Sequence, residues 1–174
     1  MVAPLQLPRA EWSTHPNYPR QVLLLGSHRN FRAMGRLLID RASGGQGRAS
    51  TLAAFSWWKS AMGGHEHYEE HKLYPFLEHR WGLDCTLLRD GHTALSTADA
   101  QVRQAQGTPA LVSALEAHHS VLLQHLDEEE QLVVPALLAL APWEFDAYTS
   151  QSLWRTMLEV PCHAGEAGCR VCVR

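Results

Sequence analysis

Two stretches decide the reading: HEHYEEHKLYP at residues 65–75 and HLDEEEQLVVP at residues 125–135. Both follow the pattern His-x-x-x-Glu, then three residues, two apolar or aromatic residues, and Pro. Positions four apart lie one turn apart on the same face of an α-helix. His65 with Glu69, and His125 with Glu129, can therefore each aim an imidazole and a carboxylate at one point.

Outward from these stretches the apolar residues recur at helical spacing. A first helix is expected over about residues 19–42, ending at Ser43-Gly44-Gly45-Gln46-Gly47. A second begins with Ser50 as N-cap and ends or kinks at Pro75, before a Trp81-Gly82 turn. Asp84 caps a third helix, about 85–106. Thr108 and Pro109 are expected to open a fourth that runs to about Leu140. A fifth, shorter helix spans Pro142 to about Leu158. The expected fold is all-α, an antiparallel up-down four-helix bundle with an additional C-terminal helix and a flexible Cys-containing tail. The expected divisions are 1–16, an N-terminal extension; 17–140, the bundle; and 141–174, the short helix and tail.

The first and third helices each place one histidine on the apolar face, His28 beside Leu24, Leu25 and Phe31, and His92 between Leu88 and Leu95. Counted from the helix ends, His28 and His65 sit at matching heights in an antiparallel pair, as do His92 and His125. The step from the second helix to the third is looser in this register, ten residues from His65 to Pro75 against seven from Cys85 to His92. Four histidines and two glutamates then converge: His28, His65, Glu69, His92, His125 and Glu129. Imidazole and carboxylate without thiolate suit iron, manganese or zinc, and a carboxylate between two cations can bridge them. Two metals fit six ligands better than one. The bland alternative is that these side chains only hydrogen-bond to one another, but burying two carboxylates without a cation is costly.

The order and spacing resemble the hemerythrin-like, HHE cation-binding family: a lone His, His-x-x-x-Glu near an aromatic-Pro, a lone His, and His-x-x-x-Glu, over about residues 17–140. The resemblance implies two iron ions, oxo- or hydroxo-bridged, with manganese or zinc less suited. By it Glu69 and Glu129 bridge, His28 and His65 ligate one iron, and His92 and His125 the other. Oxygen-carrying hemerythrins place a further His four residues from the one on the third helix. Here those positions hold Leu88 and Ser96. The resulting open coordination favours reaction with O2, peroxide or NO, in the manner of an oxidase or peroxide-handling protein, over simple oxygen carriage. The alternative is a non-catalytic module that binds, stores or senses oxygen or iron.

His118, seven residues before His125, is a further candidate as a substitute ligand or a support to one. Tyr68, three residues past His65, is another side chain that can approach the metals, although its spacing also suits the core. His67, His71, His79 and His119 point elsewhere, His15 lies in the entry segment, and Glu70, Glu128 and Glu130 are assigned to solvated faces. Cys162, His163, Cys169 and Cys172 in the tail are enough in number for zinc, but a lone C-x-x-C is a weak signal.

Composition narrows the partners. With 15 Lys and Arg against 18 Asp and Glu, net charge -3, no basic stripe exists for a phosphate backbone, so nucleic acid is not expected. The longest apolar stretch, Leu132 to Trp143, is broken by Pro135 and Pro142 and is too short for a membrane span. Residues 1–20 carry four prolines and no apolar run, unlike a secretory leader, and the cysteines are too few for a disulfide scaffold. The expected setting is the cytoplasm, with O2, H2O2, NO or a small organic substrate as ligand and a protein redox partner to supply electrons. Eleven histidines in 174 residues accord with metal chemistry.

Overall fold

The computed structural model describes residues 7–18 and 22–151, and all its regular elements are helical. A 3-10 turn, Arg9–Thr14, precedes α1 (Val22–Ser43) and α2 (Arg48–Tyr68). A π-helical turn, Glu69–Leu73, joins α2 to α3 (Tyr74–Trp81). Then follow α4 (Thr86–Gln104), α5 (Gly107–Leu138) and α6 (Pro142–Gln151). Among the described residues no helix is long and apolar enough to cross a membrane. The expected end of the fifth helix near Leu158 and the tail cysteines with His163 lie outside the described residues.

The helix ends show where local sequence chemistry prevails. Asp84 behaves as expected, its Oδ1 accepting from the Thr86 N–H at 2.9 Å, and Gly82 stops α3 in the left-handed conformation, φ 67°. Two expected caps are corrected. Ser50 lies inside α2, which begins at Arg48 after Gly47; the Thr51 hydroxyl instead donates to the Gln46 carbonyl at 3.0 Å. Thr108 likewise lies inside α5, which starts at Gly107 with φ 77°, a value open to glycine without strain.

Pro75 does not end the second helical segment, which continues through a π-helical turn into α3. Proline offers no N–H to a carbonyl one turn back, and the chain absorbs this by widening one turn, so that the Tyr74 N–H bonds to the Glu69 carbonyl, five residues back. Pro135, at the equivalent place in the other motif, is carried inside α5.

Cross-helix contacts run in opposite order. From His28 to Arg41 on α1, partners descend from His65 to Ser50 on α2. From Gly91 to Asp99 on α4, they descend from His125 to His118 on α5. Two apolar clusters result. One gathers Leu24, Tyr68, Leu73, Tyr74, Leu77, Trp81, Leu88, Val133 and Leu137; the other gathers Phe31, Leu38, Phe55, Trp58, Met62, Leu95, Leu115, Leu122 and Leu126. Each fully buried large side chain contributes about 1.5–3 kcal/mol. On α1 His28 lies between Leu24 of the first cluster and Phe31 of the second, and on α4 His92 lies between Leu88 and Leu95, so the candidate ligands sit near where the clusters meet.

The chain before α1 is tied to this core. Trp12 is buried against the first cluster, and the Asn17 side-chain amide donates to the Leu138 and Leu140 carbonyls at 2.9 and 2.8 Å, at the end of α5. In α6, Phe145 and Tyr148 pack on the same cluster and the Tyr148 hydroxyl meets that of Tyr68, while Trp143 stays exposed.

Candidate metal centre

The structure brings all six expected side chains together, in two groups that share Glu69. His28, His65, Glu69 and Glu129 form one; Glu69, His92 and His125 form the other. Within each group one ligand atom per residue lies within 4.8 Å of every other. Glu69 is fully buried with its oxygens divided: Oε1 lies 2.7 Å from His65 Nε2 and Oε2 lies 3.3 Å from His92 Nε2. Glu129 Oε2 lies 3.3 Å from His28 Nε2.

Whether these residues suit a metal is tested by what they lack. Both oxygens of Glu69, Oε2 of Glu129 and Nδ1 of His125 are buried and make no hydrogen bond. Such groups in a dry interior cost about 1–3 kcal/mol each, more when charged. The Nε2 atoms of His28 and His65 face each other at 3.1 Å, an approach that needs a proton or a cation between two lone pairs. The donor set of imidazoles and carboxylates, oriented inward and left unpaired, fits cations.

The electrostatics describe the metal-free state. For His28, burial opposes charge, but the surrounding carboxylates of Glu129, Glu130 and Glu69 prevail and raise it to about 11. His92 rises to about 9, again against burial, through Glu69 and Glu70. His125 has no such partner and is lowered to about 4 by burial and then by the charge of His92. Burial also opposes ionisation of Glu69, yet the surrounding histidines hold its carboxyl well below the usual range. Glu129 is raised, by burial first and by the charge of Glu69 next. The cavity thus holds protons where cations would sit.

Several supporting residues are not those expected. Glu130, assigned to a solvated face, is buried; its Oε1 accepts from His28 Nδ1 at 3.0 Å and from Arg32 at 2.6 Å, and its Oε2 from Arg9. Glu70, likewise assigned to solvent, is half-buried and accepts from His92 Nδ1 at 2.8 Å and Arg89 at 3.2 Å. Each carboxylate turns its histidine so that Nε2 points inward. The clue in the sequence was the acidic residue directly after each motif glutamate.

Tyr74 was also missed. Its hydroxyl donates to Glu129 Oε1 at 3.3 Å and lies 3.5 Å from His92 Nε2. In a regular helix Leu73 would stack over Glu69; the π turn brings Tyr74 there instead. Burial and the neighbouring carboxylates push its ionisation upward, so the hydroxyl keeps its proton.

His118 lies elsewhere. Its Nε2 bonds Asp99 at 2.8 Å, its ring packs edge-on against Phe55 and Trp58, and Asp99 also pairs with Lys59 at 3.2 Å. Tyr68 is buried and engages Tyr148. Leu88 is buried and Ser96 exposed, so neither position beside His92 adds a nitrogen. His67, His71 and His79 are exposed, and half-buried His119 rests against Gly35.

A small cavity of about 10 Å³ adjoins the centre, lined mainly by Phe31, Met62, Leu95, Leu122 and Leu126 beside His65, Glu69 and His125. That is room for about one water-sized molecule.

Among known proteins, the family model described as the hemerythrin HHE cation binding domain matches residues 22–137. No curated protein and no solved structure matches the chain.

Proposed function

The chain belongs to the hemerythrin HHE cation-binding family, and on that premise we propose that its helices form an antiparallel up-down four-helix bundle holding two iron ions that react with O2, peroxide or NO. The observation that carries this reading is Glu69, a fully buried carboxylate with no hydrogen bond and one oxygen toward a histidine of each group. His28, His65 and Glu129 would complete one position, His92 and His125 the other.

Iron in such a site supplies redox equivalents and open coordination positions. The protein's own residues do the rest. Glu130 and Glu70 fix the imidazoles of His28 and His92 with Nε2 inward. Tyr74 fixes Glu129 through its hydroxyl and holds a proton within reach of the centre. The mainly apolar lining of the adjoining cavity, with room for about one water-sized molecule, favours small reactants. The group around His92 has three protein ligands rather than four. This shortfall supports reaction over carriage.

Metal analysis by plasma mass spectrometry with visible spectra tests the reading. About two irons per chain, absent from Glu69→Ala, with turnover of peroxide or another oxidant, is the expected result. No iron, or iron retained in Glu69→Ala, would refute it. A reversible oxygen-dependent spectrum without turnover would favour the storage or sensing alternative.

A further inference from the structure

A second cavity, open and of about 510 Å³, lies between the N-terminal turn, α1 and α5, on the far side of Glu130 from the metal centre. Arg9, Arg29 and Arg32 line it, with Trp12, Tyr18 and Leu25 forming apolar wall. Three guanidiniums face two carboxylates. Arg9 and Arg32 both pair with Asp127 and Glu130, whereas Arg29 is exposed and makes no ion pair among the described residues. The cleft therefore keeps a positive charge that no described group neutralises.

Gly26 deepens it. A glycine inside a helix costs about 1 kcal/mol relative to alanine. Gly35 and Gly91, also helical, leave space that the rings of His119 and His125 fill, but a Cβ at Gly26 would meet no described atom within 4 Å. The space over Gly26 opens into the cleft.

We propose that this cleft binds a small organic carboxylate carried on a flat apolar body, with Arg29 as its main charge partner and the wall of Trp12, Tyr18 and Leu25 holding the body. The planar fork of arginine matches a carboxylate in two-point contact, and the aromatic wall suits a ring better than a hydrated inorganic anion. The occupant sits one hydrogen-bonded chain from the centre, since Arg32 bonds Glu130 and Glu130 bonds His28. An anion that draws Arg9 or Arg32 from Glu130 alters the charge behind His28. This coupling rests on the metal reading above; the binding itself does not.

The test is calorimetric titration of the full chain, metal-free and iron-loaded, with benzoate and with inorganic phosphate as probes. The expected result is one benzoate site per chain in both forms, with weaker phosphate binding. Arg29→Gln should weaken benzoate about tenfold, and Gly26→Leu, which projects a side chain into the cleft while favouring helix, should abolish it; circular dichroism checks that both fold. Benzoate should also shift the visible spectrum of the iron-loaded form, and an unchanged spectrum on saturation would overturn the coupling. No benzoate heat in either form, or heat unaffected by both substitutions, would overturn the site. Phosphate binding as tightly as benzoate would overturn the assignment of an apolar body. Because the metal-free arm reads occupancy directly, failure of the iron reading and failure of the cleft give different results.

Discussion

The α1–α2 half and the α4–α5 half carry matching ligand patterns, yet the structure treats them differently. In the first, His28 is fully buried and backed by Glu130, itself buried and held by two arginines. In the second, His92 is backed by half-buried Glu70, and His125 has no hydrogen bond at Nδ1 and rests against Gly91. One group has four candidate ligands and the other three. A repeated motif thus yields one position with more candidate ligands and stronger backing beside a second with fewer.

Glu69 is the residue on which the two halves depend together, so its removal should have the largest effect. Glu69→Ala is expected to lose both metals, whereas Glu129→Ala should empty the His28 position and leave metal at the other. Metal content per chain separates the two, and equal losses would deny the asymmetry.

Next in size are the carboxylates behind the histidines. Glu130→Gln should weaken metal binding about 10- to 100-fold and cost ~2 kcal/mol of metal-free stability, since it removes the buried charge that His28, Arg32 and Arg9 share. Glu70→Gln, at a wetter place, should weaken metal binding with a smaller stability loss. Chelator competition and denaturant unfolding measure both, and a larger stability loss in Glu70→Gln would reverse the comparison.

The two glycine contacts sharpen it further. A Cβ at Gly91 would overlap His125 and one at Gly35 would overlap His119. Each alanine variant should lose about 1–3 kcal/mol. Only Gly91→Ala should also lower metal occupancy, and a comparable metal loss in Gly35→Ala would mean that the effect is general loosening.

The smallest effect is on pH dependence. His28 and His92 are raised in the metal-free fold to about 11 and about 9, against 6.5 for an ordinary imidazole. Their contribution is complete below about 6.5 and is lost as pH rises through about 9 and 11. His125, lowered to about 4, acts with the opposite sign, its contribution lost as pH falls from about 6.5 toward 4. The melting temperature of the metal-free protein should therefore drop on both sides of about pH 6.5. Metal-loaded protein should show a flatter alkaline limb, because cations replace the protons.

The sequence by itself determined the helical class, the turn at Gly82, and which six side chains meet. Helical periodicity and a four-residue His–Glu spacing are local properties, and register follows from counting residues along helices of fixed rise. It did not determine the support for those side chains. Glu70 and Glu130 follow the motif glutamates by one position, about 100° around the helix, which on periodicity alone reads as a solvated face. Only the approach of α4 to the π turn, and the packing of α5 against α1, covers that face and gives each carboxylate a histidine. Tyr74 entered the site through a π turn, a backbone choice that Pro75 permits but does not compel. Gly91 reads as a weak helix residue until a ring from another helix occupies its missing Cβ. These are contacts between elements distant in sequence, and their geometry exists only once the helices have packed.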